Sequence, residues 1–149
     1  MTSSDNAVVA DALNSMIVLP EDVTGQVFAT KKNKAYEKID NNQLARVEFV
    51  YVTNNFTDEK SAATKAFVKK YRKRNFAIPT TYAIKGFDVT YDVLMRLASG
   101  EDLNATFKKG ASLRLETRFD YDKKIFGPTA NKGLFIMKYN KDLSLQRLK

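Results

Sequence analysis

Residues 58–100, DEKSAATKAFVKKYRKRNFAIPTTYAIKGFDVTYDVLMRLASG, decide the fold. Apolar spacing predicts a helix over 58–74, capped by Thr57-Asp58, with Ala63, Ala66, Phe67 and Tyr71 on its buried side. Lys69, Lys70, Arg72, Lys73 and Arg74 crowd its last turn, where cations complement the helix dipole. Pro79 stops the helix, and 80–85 reads as a short apolar strand. A Gly-Phe-Asp turn follows, with Asp88 read as the N-cap of a second helix over 89–99. Tyr91, Leu94, Leu97 and Ala98 are assigned to its core face and Gly100 to its C′ position.

Upstream, Ser4-Asp5-Asn6 announces a helix over 6–15 with Val8, Val9, Leu13 and Met16 as its apolar face. Residues 26–30 form a strand candidate, and weak helical turns are expected near 33–38 and 41–44. Residues 45–52, ARVEFVYV, make the clearest strand, nearly apolar on both faces after Phe49, as a buried parallel strand requires. A central strand over 47–52, parallel to 26–30, is the expectation.

Downstream of Ser112 the apolar period changes to two. Residues 112–121, 133–139 and 143–148 read as an antiparallel meander, with Asn140-Lys141-Asp142 as a turn between the last two. One domain over 1–149 is the economical reading, with an α/β part over 1–111 and a β tail over 112–149.

Composition narrows the function. The chain has 149 residues, 44% hydrophobic and 28% charged, as expected of a domain with a real core. No Cys and no His occur, which excludes disulfides, Cys nucleophiles, Ser-His-Asp triads and ordinary zinc sites. No carboxylate pair has catalytic spacing, and no P-loop, GxGxxG or EF-hand pattern is present. No enzyme, cofactor or metal is expected. No apolar run approaches the ~20 residues of a membrane helix. The first residues lack a basic n-region and apolar h-region, which fits a cytoplasmic protein or a domain whose leader lies outside this chain. The formal charge of +8 favours a polyanion only if focused.

The order of elements over 58–100 resembles the late part of type I periplasmic-binding-protein receptors. There a Phe-x3-Tyr helix leads to a Pro loop, a Tyr-Ala pair, a Gly-Tyr/Phe-Asp step and an apolar helix. The matching residues are Phe67, Tyr71, Pro79, Tyr82, Ala83, Gly86, Phe87 and Asp88. Residues 6–52 follow the family's earlier order, and 131–139 with the final strand is similar to its end. The likeness is greatest to envelope receptors that can carry a peptidoglycan-binding LysM module, which this sequence lacks.

The resemblance implies an α/β fold: a parallel-sheet lobe with a C-terminal antiparallel hairpin or meander. It implies a two-lobed receptor of which this chain supplies one portion, its partner lobe lying elsewhere. Ligand contacts are expected at the C-terminal ends of the strands, where open parallel sheets bind ligands. Candidate contacts are Thr30, Lys31, Lys32, Asn33, Tyr36, Thr53, Asn54, Asn55 and Asp88. The implied partner is a small-molecule solute or cell-wall fragment, and the implied location is the periplasm or cell envelope. Amino-acid-binding members place an acidic group near the first loop, whereas this chain has Lys-Lys-Asn-Lys there.

Each feature also has a plainer role. The lysines are a solvated loop, Asn54 and Asn55 turn residues, Asp88 a cap, and Phe87 and Tyr82 core. The KKYRKR run is a solvated helix end in preference to a nucleic-acid patch, since Tyr71 falls on the buried face. The functional expectation is a non-enzymatic binding module. A basic nucleic-acid-associated domain and an envelope module without ligand are its rivals.

Overall fold

The computed structural model describes residues 5–20, 23, 25–100, 102–122 and 129–149. In chain order the helices are α1 (Asn6–Ile17), α2 (Lys34–Glu37), α3 (Asn41–Arg46), α4 (Ala62–Asn75), α5 (Thr81–Leu97) and α6 (Leu103–Thr106). The strands are β1 (Phe28–Ala29), β2 (Val50–Thr53), β3 (Ser112–Leu113), β4 (Arg118–Phe119), β5 (Tyr121–Asp122), β6 (Ala130–Asn131), β7 (Phe135–Tyr139) and β8 (Leu145–Arg147). The chain divides into two compact units, Met1–Thr53 with Leu134–Lys149, and Asn54–Gly133. Among the described residues no helix is long and apolar enough to cross a membrane.

The first unit is α/β, on a sheet of order β1-β2-β7-β8. β1 and β2 run parallel, with Phe28 beside Val50 and Ala29 beside Tyr51. β7 lies antiparallel to β2, and β8 antiparallel to β7. The expected parallel pair and the expected C-terminal hairpin are therefore both present. The hairpin turns through Asn140, whose N–H bonds the Ser144 carbonyl, and through Leu143 at φ 66°. Phe135, Met137 and Tyr139 alternate into the core, while Leu134 is half exposed.

α1 begins where Asp5 accepts from Ala7 N–H at 2.8 Å and extends two residues past the expected end. Val9 and Leu13, one turn apart, are buried, but Val8 faces solvent. The main correction is at 45–49, expected as strand. Asp40 caps α3, which continues to Arg46 so that Leu44 and Ala45 are buried. Glu48 then takes a left-handed φ of 44°, its N–H bonding the Ala45 carbonyl, and redirects the chain into β2. A non-glycine residue there costs roughly 1 kcal/mol or more. The Lys138 ammonium, 2.7 Å from the Glu48 carboxylate, holds it in place and lowers that group's pKa.

The second unit departs further from expectation. α4 starts at Ala62 because Ser61, not Asp58, caps it; the Ser61 hydroxyl accepts from Thr64 N–H at 3.1 Å. Of the four residues expected to face inward, Ala63 and Ala66 are exposed and Phe67 and Tyr71 half covered, whereas Thr64 is the buried residue of the helix. Phe67 packs against Phe87 of α5 with the rings tilted at 45° and 4.7 Å between centroids. Residues 80–85 are not a strand: Thr80 caps α5, which absorbs the whole segment and the Gly-Phe-Asp step. Gly100, at φ 77°, follows this helix as expected of a residue free to adopt that angle.

The face α5 buries is the reverse of the expected one. Asp88, Asp92 and Arg96, four residues apart, are buried, whereas Tyr91, Leu94 and Leu97 are 42–58% exposed. Asp88 is no cap. Its carboxylate accepts from the N–H groups of Leu115, Glu116 and Thr117 at 2.9–3.0 Å. Asp92 accepts from Arg96, Ser112 and Arg114 at 2.6–2.7 Å. The Arg96 guanidinium also donates to the Thr106 carbonyl and lies over the Tyr121 ring at 5.0 Å. This polar seam fixes the tight β3–β4 hairpin, so 112–121 is a folded-back pair and not one long strand. Beyond it, a Cβ on Gly133 would strike the Arg118 carbonyl, which explains glycine there.

Candidate functional site

The C-terminal ends of β1 and β2 gather part of the predicted site. Thr30 and Lys31 are exposed as β1 ends, and Lys32 and Asn33 are half-buried. Asn33 closes the loop by accepting from Ala35 N–H at 2.9 Å, which starts α2 and buries Tyr36. Thr53 ends β2 beside Phe135, and the chain continues into Asn54 and Asn55, both exposed. Asp88 belongs to the second unit and is fully buried with its oxygens bound to backbone, a structural role rather than a loop contact.

Lys32 is the centre of the arrangement. Its Nζ donates to Tyr139 Oη at 2.6 Å and lies 5.0 Å from the Tyr139 ring centroid and 5.8 Å from that of Tyr51. The aromatic wall continues inward. Tyr51 stacks on Phe49 at 5.7 Å, and Phe49 on Tyr36 at 4.8 Å. Tyr36 Oη is buried without a hydrogen-bond partner among the described residues, and a buried hydroxyl left so carries a desolvation cost.

The electrostatics leave one charge in this cluster. Burial, with the neighbouring Tyr139, pushes the Tyr51 hydroxyl up to about 12, and burial raises Tyr36 as well. Both phenols are neutral at physiological pH, so the cation is Lys32. Its remaining two N–H bonds meet no protein acceptor among the described residues. A cation held over aromatic faces gains ~0.5–2 kcal/mol and keeps its direction. Such an ammonium can meet a carboxylate or phosphate while the rings cover an apolar part of the same molecule.

Tyr51 and Tyr139 were absent from the predicted site. Their sign in the sequence is phase: Phe49 and Tyr51, and Phe135, Met137 and Tyr139, share one sheet face at period two. Only the register of β7 on β2 brings that face to Lys32. A cleft of the first unit, about 830 Å³ and lined by Met16, Pro20, Arg46, Glu48 and Lys141 among others, contains none of the predicted residues.

These features define an α/β protein with a parallel strand pair in its sheet and a cationic aromatic edge. No family model matches the chain, and no curated protein matches it. Among solved structures it is similar to an ABC transporter substrate-binding protein from Desulfitobacterium hafniense in complex with Leu, with a TM-score of 0.44 and 14% identity over 98% of this chain. The chain spans about half, 49%, of that one.

Proposed function

We propose that this chain is a non-enzymatic solute-binding module that holds a small anionic solute, or a carboxylate-bearing cell-wall fragment, at the β1–β2 edge. The observation that carries the reading is the Lys32 ammonium, anchored on Tyr139 Oη with two N–H bonds left over and two tyrosine rings beneath it. Thr30, Lys31 and Asn33 on one loop and Thr53 on the next line the same edge. Inter-lobe capture, in which an opposing lobe of the same receptor closes over the solute, and a place in a bacterial envelope belong to this reading.

An NMR titration tests it with three probes: succinate, N-acetylmuramoyl dipeptide and an uncharged disaccharide. The two anions should shift the amides of 30–36 and 53–55, and Lys32→Gln should remove those shifts. Equal response to the neutral sugar, or an unchanged response in Lys32→Gln, sinks the reading.

A further inference from the structure

The net charge of the chain has an address. From residue 60 to residue 87 the sequence carries eight Lys or Arg and no Asp or Glu, as many positive charges as the +8 of the whole chain. α4 holds six of them, and three of those, Lys65, Lys69 and Arg72, border a cleft of about 580 Å³ within the second unit. That volume lies in the range of ~300–1,000 Å³ usual for small-molecule sites.

The two sides of this cleft differ in chemistry. Lys65, Lys69 and Arg72 stand at i, i+4 and i+7 of α4, one side of the helix, and each is exposed. None of the three forms an ion pair among the described residues, and Glu59 is the one carboxylate on the rim. Val68 lies among these cations on α4, one turn from Lys65 and Arg72, and the other side is apolar, made by Ile78, Pro79 and Ile84. Ile84 is buried, but Ile78 is 73% exposed, a large apolar side chain left against water. Thr57, also on the wall, has its hydroxyl on Glu116 Oε2 at 3.3 Å and so is held in place.

We propose that this cleft is a second binding site, for an amphipathic anion. A carboxylate or phosphate head sits among Lys65, Lys69 and Arg72, and a short aliphatic chain covers Val68, Ile78 and Ile84. The ~1.5 Å rise per helical residue spreads the three cations over about 10 Å, so one head meets two of them while the tail lies along the apolar wall. The head gains charge-assisted hydrogen bonds, and the tail removes the exposed Ile78 from water.

An ¹⁵N NMR titration of the full chain with octyl phosphate, kept below micelle formation, tests the proposal. Saturable shifts are expected at 65–72 and 78–84, weaker at least tenfold in the exposed double variant Lys69→Gln/Arg72→Gln and severalfold in Ile78→Ser. Circular dichroism checks that both variants keep their helices. Inorganic phosphate and octanol, the head and the tail alone, should each bind at least tenfold more weakly. Lys32→Gln should leave this binding unchanged, which separates it from the site on the first unit. Phosphatidylglycerol vesicles tell the source: binding that falls with the same variants assigns the anion to a lipid, and binding of the monomer alone assigns it to a free amphiphile. Octylamine binding as well as octyl phosphate, inorganic phosphate matching it, or shifts mapping elsewhere would overturn the proposal. So would a thymidine oligonucleotide that displaces octyl phosphate, which makes the patch a nucleic-acid surface.

Discussion

Lys32 Nζ and Tyr139 Oη lie 2.6 Å apart although 107 residues separate them in the sequence. The contact ties the loop after β1 to the third strand of the sheet, so the cation's position depends on the last hairpin being in place. Tyr139→Phe keeps the ring but removes the acceptor. It should cost about 1 kcal/mol by chemical denaturation and release Lys32, seen as a narrowed spread of its side-chain methylene shifts. Unchanged shifts would mean that the ring, not the hydroxyl, holds the ammonium.

A clamshell gains affinity from contacts on both sides and from exclusion of water. One side alone forfeits several kcal/mol, roughly three or more decades in Kd. On the proposed reading, in which this chain supplies one side, amino acids, short peptides and muropeptides should bind it no tighter than millimolar, with shifts first at 30–36 and 53–56. Calorimetry showing micromolar saturation would mark a complete binding protein.

Asp92 is the keystone of the polar seam. Burial alone would raise its carboxyl, but hydrogen bonds from Ser112, Arg96 and Arg114 outweigh that and hold it below the ordinary value. A depressed folded value means stability that is present above about pH 4 and is lost as the pH falls through the folded pKa. Asp92→Asn should cost roughly 3–5 kcal/mol at pH 7, because Arg96 is left buried without its counter-charge. Urea melts at pH 7 and pH 3 check both statements: the loss caused by Asp92→Asn should shrink at the lower pH.

Glu116 has the opposite sign. It is 2% exposed, and burial above all pushes its carboxyl up, the Thr57 hydrogen bond resisting and Asp88 adding to the rise. Its favourable contribution is full below about pH 4.3 and is lost as the pH rises through the folded pKa. Glu116→Gln, which keeps an acceptor for Thr57, should raise the Tm by a few degrees at pH 7. The gain should vanish near pH 4. A lower Tm at pH 7 would show that the charge is favourable where it stands.

The sequence was legible where hydrophobic pattern and packing agree. The parallel pair, the C-terminal hairpin, α1 and the small helices α2 and α3 were all readable. So were Lys32, Asn33 and Thr53 as edge residues, because position after a strand follows from order alone. The reading failed where a polar interaction overruled the pattern. Leu94 and Leu97 look like a core face, yet Asp88 and Asp92 take that side because backbone N–H groups and arginines await them there. Thr80 outcompeted Asp88 as a cap since no proline interrupts the chain after it. Tyr139 was invisible as a site residue because nothing local links it to Lys32.

The inverted face of α5 also sets how the molecule responds to temperature. Exposure of polar surface lowers the heat capacity of unfolding, and exposure of apolar surface raises it. The first unit, closed around Tyr36, Phe49, Phe135 and Met137, follows a steeply domed stability curve. The second, with Asp88, Asp92 and Arg96 buried beside only a few apolar side chains such as Ile84 and Phe119, should follow a flatter one. The two parts of one covalent chain are thus expected to differ in the curvature of their stability with temperature.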